Sequence, residues 1–128
     1  MFSKTCEYAL RAMLFVGQKS RDGNRTGIRE IAEGIDSPEY FIAKVLQELS
    51  RKRLIQSQKG PAGGFYLDKK GMECSLADIV KAIDGDKIFL GCGLGLRECK
   101  EKKPCPIHNE FKKIRKEIHD MLQSAKLN

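Results

Sequence analysis

The stretch Gly34-Ile35-Asp36-Ser37-Pro38-Glu39 constrains this chain more tightly than any other. Upstream of it, Ile28, Ile31, Ala32 and Ile35 recur at helical spacing and mark a short helix that closes near Gly34. Downstream, Ser37, Pro38 and Glu39 have the order of a helix start. The serine suits the N-cap, the proline's fixed φ suits the first helical position, and the carboxylate suits the positive end of the dipole. The next helix then turns Phe41, Ile42, Val45, Leu46 and Leu49 inward, and Lys44, Gln47, Arg51 and Lys52 outward. Before the pair, a longer helix is expected from about Ser3, its cap, to Gln18, with Tyr8, Ala9, Ala12, Met13 and Val16 on one face. Residues 20–27, SRDGNRTG, hold too many turn formers for anything but a loop. Two short helices behind a packing helix make a helix-turn-helix, although an ordinary three-helix bundle would share this pattern.

The following segment favours the first reading. Leu54 to Gln58 and Phe65 to Leu67 read as two short strands around Lys59-Gly60-Pro61-Ala62-Gly63-Gly64. Glycines there supply positive φ angles and close backbone approach, so the hairpin is a wing. With a wing in place, the second helix of the pair would turn Ser37, Glu39, Tyr40 and Ala43 toward DNA bases, with Lys44 also on its outer face. Lys59, Gly60, Gly63 and Gly64 would lie against phosphates, offering one charge and bare N–H groups. A nucleotide-binding phosphate loop is disfavoured, because no Lys-Ser/Thr pair and no helix follows. Charge agrees: the net charge is +7, with 13 Lys/Arg against 8 Asp/Glu in residues 1–70 and 11 against 9 in residues 71–128. A basic N-terminal half is a weak electrostatic footprint of nucleic-acid binding.

Ser75 and Asp78 form a capping box for a helix with Leu76, Ile79, Val80 and Ile83 inward, ended by Gly85. A last helix is expected from about Asn109 to Ala125. Its stripe of Phe111, Ile114, Ile118, Met121, Leu122 and Ala125 faces away from Lys112, Lys113, Arg115, Lys116 and Glu117. A closed winged domain leaves that stripe without a partner in its own chain, so a two-fold dimer would supply one. Packing back onto the same domain is the alternative.

Between these helices lies Gly91 to His108, GCGLGLRECKEKKPCPIH, with three of the five cysteines. A thiol is ordinarily a small buried hydrophobe, and this glycine- and lysine-rich stretch cannot bury Cys92, Cys99 and Cys105. Thiolates together with the His108 imidazole suit an iron–sulfur cluster or zinc. The paired C-x2–4-C knuckle of zinc sites is absent, and wide spacing fits a cluster better. A disulfide-stapled loop and plain reduced cysteines remain open. The odd cysteine count disfavours disulfides. Glu7 and Arg11 interrupt an otherwise apolar N-terminus, and no small-residue cleavage site follows, so export is not expected. No apolar run approaches the ~20 residues of a membrane span. His108 and His119 lack the carboxylate or nucleophile of a catalytic constellation, which disfavours an enzyme.

Over essentially its whole length the chain resembles bacterial winged-helix regulators of the IscR and NsrR type. The resemblance rests on Glu7-Tyr8-Ala9-Leu10-Arg11-Ala12-Met13, on Ser37-Pro38-Glu39-Tyr40, on Lys59-Gly60-Pro61-Ala62-Gly63-Gly64, and on the three cysteines. It implies a mainly α fold with a small β wing. Residues 1–86 would form the DNA-binding domain, 87–108 the cluster-binding loop and 109–128 the dimerisation helix. It further implies a cytoplasmic homodimer whose iron–sulfur cluster, two-iron by preference and four-iron as the alternative, tunes binding to a palindromic operator in double-stranded DNA. By position, Cys92, Cys99 and Cys105 match the cluster cysteines. His108 matches the IscR-like fourth ligand, and the partner subunit's Glu7 matches the NsrR-like one. Two departures stand out. The first cysteine interval is one residue longer than in IscR, and Ile42-Ala43 replaces a Glu-Gln pair in the reading helix. Cys6 and Cys74 match no ligand and read as core thiols. A zinc-stabilised or cluster-free regulator and a small iron–sulfur electron carrier are the competing readings.

Overall fold

A computed structural model describes residues 2–91, 94 and 105–127. The chain opens with α1 (Lys4–Arg21), for which the Ser3 hydroxyl accepts from the Cys6 N–H at 3.0 Å. Its inward face is Cys6, Ala9, Leu10, Ala12, Met13, Val16 and Gly17. The helix runs past the expected Gln18 until Asp22 and Gly23, the latter at φ 78°, turn the chain. Next come α2 (Ile28–Gly34) and α3 (Glu39–Arg51), which bury Ile31, Ile42, Val45, Leu46 and Leu49 against α1. Each such side chain contributes roughly 1.5–3 kcal/mol on burial. The fold is thus mostly helical, and α1 is the element on which the helix pair is mounted.

The turn between α2 and α3 is built differently from its sequence reading. Pro38, in extended conformation, is the N-cap of α3, and no side chain caps that end. Ser37, expected there, lies one residue too early, and its hydroxyl donates weakly to the Pro38 carbonyl at 3.4 Å. The turn is closed instead by the backbone and by α1. The Ser37 N–H donates to the Ala32 carbonyl at 2.9 Å, Asp36 takes φ 54°, and the Arg11 guanidinium donates to the Ile35 carbonyl. Arg11 also lies 5.4 Å from the Tyr8 ring centre, and Tyr8 meets Phe41 of α3 edge-on at 5.0 Å.

The wing pairs β1 (Gln56–Gln58) antiparallel with β2 (Gly64–Tyr66), with Ser57 opposite Phe65. A third, single-residue edge was not expected. Thr26 and Phe65 exchange two backbone hydrogen bonds of 2.9 and 2.7 Å, which ties the wing to the segment leading into α2. Then follow α4 (Lys69–Met72), capped by Asp68, and α5 (Leu76–Asp84). The capping box on α5 forms as read: Asp78 N–H to Ser75 Oγ at 3.1 Å, and Ser75 N–H to Asp78 Oδ2 at 3.0 Å. Gly85 ends the helix at φ 74°. Both Ser3 donors reach the Asp84 carboxylate, at 2.9 Å from N and 2.5 Å from Oγ, and join the start of α1 to the end of α5.

A short α6 (Lys87–Leu90) occupies the first residues of the segment read as a loop, and α7 (His108–Ser124) packs on α5 and α6. The apolar stripe of α7 divides. Leu122 is buried and Ile118 packs against the core of its own chain, whereas Ile114 and Met121 stay 49% and 57% exposed. The intramolecular alternative therefore holds for part of the stripe. Arg115, read as outward-facing, is only 8% exposed. Beyond α7, the Ala125 carbonyl accepts from the Leu76 N–H at 2.9 Å, and the Leu127 side chain enters the core.

Candidate functional site

The outer face of α3 is set by what its inner face must bury. With Ile42, Val45, Leu46 and Leu49 committed to the core, Tyr40 and Lys44 project outward one turn apart. Tyr40 is 72% exposed, which is unusual for a large aromatic that could have turned inward. Glu39 is exposed beside it, its Oε2 3.7 Å from Arg29 Nε at the start of α2. Ser37 is half-buried at the foot of the same helix. Pairs as exposed as Arg29–Glu39 contribute little to stability, so both side chains can exchange each other for another polar partner.

On the wing, Lys59 is exposed and Gly60 turns the chain at φ 108° with open space beyond its Cα. Gly63 and Gly64 are glycines for an internal reason. A Cβ on Gly63 would fall 2.0 Å from the Gln58 carbonyl oxygen, and one on Gly64, at φ 141°, 2.9 Å from Thr26 backbone atoms. The structure adds two cations the sequence reading passed over. Arg25 stacks 5.0 Å from the Tyr66 ring centre on the wing and is otherwise exposed, and Arg29 opens α2. In the sequence both are just polar residues near a turn; only the Thr26–Phe65 pairing brings Arg25 onto the wing. Arg11 read in the sequence only as a charge interrupting an apolar stretch and as part of a resemblance, yet it fixes the turn that orients α3.

The second region is the cysteine segment. Cys92 and Cys99 lie outside the described residues. Cys105 is half-exposed and His108, the first residue of α7, is buried. The His108 N–H donates to the Cys105 carbonyl at 3.0 Å, so thiol and imidazole belong to one turn. That donor set, one soft thiolate and one imidazole in a single turn, fits half of a mixed cysteine–histidine cluster site and equally half of a zinc site. Among the described residues no three His, Cys, Asp or Glu side chains converge as a metal site. Glu7 is half-exposed on α1, its Oε2 3.8 Å from Lys4 Nζ. Cys6 and Cys74 are buried in the core. Burial, with the Asp84 carboxylate second, pushes the Cys6 thiol up to about 12; burial, with Asp78 second, pushes Cys74 up to about 11. Such thiols are poor ligands and poor nucleophiles.

Comparison with known proteins agrees with this architecture. Residues 2–128 match the Rrf2 family, described as iron-dependent transcriptional regulators. A protein of Aquifex aeolicus described as an HTH-type transcriptional regulator is 32% identical over 127 residues, covering 98% of this chain and 87% of the relative. The HTH-type transcriptional regulator NsrR of Oceanobacillus iheyensis is 30% identical over 111 residues, 86% of this chain and 75% of the relative. Among solved structures, CymR of B. subtilis, the global cysteine regulator, superposes with a TM-score of 0.79 at 20% identity, over 99% of this chain and 92% of that one. T. potens IscR does so with 0.75 at 19% identity, over 99% and 82%. These relatives are regulators of transcription, not enzymes, and no described helix is long and apolar enough to cross a membrane. On the match across its length and the shared winged-helix fold, the chain belongs to the Rrf2 family of transcriptional regulators.

Proposed function

We propose that the chain acts in the cytoplasm as a homodimer that reads a palindromic operator, with an iron–sulfur cluster tuning its grip on DNA. The observation that carries the DNA reading is Tyr40, 72% exposed in the first turn of a helix whose other large apolar side chains are half or fully buried. With Glu39 and Lys44 it forms a reading surface of the kind that enters a major groove, while Lys59 at the wing tip and Arg25, stacked on Tyr66 of β2, supply backbone-directed charge. Ser37 closes the foot of this surface, and Gly60 leaves the wing tip bare enough for close approach to a phosphate.

Cys92, Cys99, Cys105 and His108 would hold the cluster, two-iron by preference, with the partner subunit's Glu7 as the alternative fourth ligand. Bound there, it would supply a centre that gains or loses an electron and is lost to oxidants. The family's description as iron-dependent supports this reading, as does the Cys105–His108 turn. The rest of the mechanism belongs to this chain's own contacts. Ser3 joins α1 to Asp84 at the end of α5, and Arg11 joins α1 to the turn before α3. The exposed Ile107, at the N-cap of α7, and Ile114 and Met121 within it recur every seven residues and supply a seam for a second copy.

The test is selection of duplexes from a random pool, followed by titration of the selected and a scrambled duplex. Tyr40→Ala and Glu39→Gln should each cost ~1–3 kcal/mol on the selected duplex and little on the scrambled one. Unchanged binding by both variants would remove α3 from the reading role.

A further inference from the structure

We propose that one face of α1, formed by Gly17, Ser20 and Arg21, is a joint through which residues 125–127, the continuation of α7, set how firmly the wing is held. The three positions stand at i, i+3 and i+4, so they share a face of the helix. Ser20 Oγ accepts from the Leu67 N–H at 2.9 Å, directly after β2 ends at Tyr66. The Arg21 guanidinium donates to the Leu127 carbonyl at 2.7 Å. Gly17 faces both leucines: a Cβ there would fall 3.3 Å from Leu67 Cδ1 and 3.9 Å from Leu127 Cβ. Glycine inside a helix is unfavourable relative to alanine. Here it leaves room for Leu67 and Leu127, which are 5% and 3% exposed.

Residues 125–127 are held as a short strand would be. Ala125 caps α7, its N–H donating to the Met121 carbonyl at 3.1 Å, so the segment follows that helix. The Leu76 N–H donates to the Ala125 carbonyl at 2.9 Å, and the Leu127 N–H to the Cys74 carbonyl at 3.2 Å, on either side of the buried Ser75. A segment held by so few bonds opens at lower free energy than the helices around it. It is therefore an element with two states, docked and released. It stands between the helix that carries the exposed Ile114 and Met121 and the wing that carries Lys59.

The coupling follows from the shared face. When residues 125–127 are released, the bond from Arg21 is lost and Leu67 loses packing beside Gly17. The Ser20–Leu67 bond that holds the chain leaving the wing then opens more often. By linkage, a duplex that steadies the wing favours the docked segment by the same factor. That last step rests on the DNA reading above, whereas the joint itself does not.

The experiment is residue-resolved amide exchange on the full chain, for wild type, Leu127→Ala, Arg21→Gln and Leu122→Ala. The last is the control, since it deletes a comparably buried leucine of α7 that is not one of the joint's groups. Without DNA, the Leu67 amide should lose protection at least ~5-fold in Leu127→Ala and in Arg21→Gln, with the Leu46 amide in α3 much less affected. In Leu122→Ala the two amides should fall together. With the selected duplex added, the Leu127 amide of wild type should gain protection at least ~5-fold. If Leu127→Ala fails to fold, Arg21→Gln decides alone, because it alters only an exposed side chain. Leu67 protection unchanged relative to Leu46 in the folded variants would overturn the joint. Wild type that binds the duplex without any gain at Leu127 would overturn its link to DNA. Failure to bind any duplex would instead defeat the DNA reading, and the linkage with it, leaving the joint to be decided by the Leu67 result.

Discussion

Gly64→Ala tests how the wing is held against the helix-turn-helix. Gly64 sits at φ 141°, a region nearly closed to residues with a Cβ, and the added methyl would lie 2.9 Å from three Thr26 backbone atoms. Strain of this kind costs about 1–3 kcal/mol. Relieving it by moving β2 away sacrifices the two Thr26–Phe65 backbone bonds of 2.9 and 2.7 Å, each contributing about 0.5–1.5 kcal/mol. Either way the local loss is about 1–3 kcal/mol, below the total stability of a typical domain. The helical core should therefore persist while the wing edge detaches. Amide exchange reads this directly: protection of Thr26 and Phe65 should fall at least ~5-fold, with Leu46 and Val80 in the core much less affected. Binding to the selected and random duplexes should weaken together, because the wing carries Lys59 and Arg25. Gly60→Ala is the control, since it meets nothing within 4 Å and strains only its own turn. Unchanged protection at Thr26 and Phe65 in Gly64→Ala would refute the close-approach argument.

Other predictions follow from the same contacts. Lys59→Ala should lower affinity for any duplex and reduce the salt slope by about one unit, measured by anisotropy at several salt concentrations. A double Ile114→Asp, Met121→Asp variant should be monomeric by light scattering yet melt near wild type, because both side chains are exposed in the protomer. Ile118→Asp should instead lower the melting temperature by placing a carboxylate against the core, since Ile118 packs within its own chain. In metal-free protein at pH 8, iodoacetamide should label Cys105 and spare Cys6 and Cys74, read by peptide mass spectrometry. Folded Cys6 and Cys74 hold their protons up to about 12 and about 11, against 9.0 for a free thiol. The stability they contribute is thus fully present below pH 9 and lost as pH rises toward 11–12, which a denaturant titration series would detect.

What was legible in the sequence was what depends on local chemistry. The Ser75–Asp78 capping box, the Gly85 stop, the inward face of α3 and the wing hairpin all depend on residues within a few positions of one another. Ser37 misled because Ser-Pro-Glu satisfies two alternative helix starts, and only the backbone at Pro38 distinguishes them. Thr26 was invisible because a one-residue strand has no periodicity; its partner Phe65 lies far along the chain. Arg115 and the divided stripe of α7 were misread for a related reason. Helical spacing assigns a residue to a face, but which half of that face meets the core depends on where α5 and α6 lie. Of the site, Cys105 and His108 are brought into one turn as their spacing suggests, and Tyr40 is displayed. The anchoring roles of Arg11 and Arg115 required the tertiary structure, since each bonds a carbonyl 24 positions away.

The measurement that bears most directly on the central claim is a titration of the selected duplex with the same preparation in two states. One is anaerobic protein with its cluster, verified by iron, sulfide and visible absorbance; the other is the same protein after metal removal. Regulation by the cluster predicts affinities for that duplex that differ by at least ~10-fold between the two states, about 1.4 kcal/mol, while affinities for scrambled DNA stay together. Equal affinity for the selected duplex in both states, with iron demonstrably present in one, would contradict it.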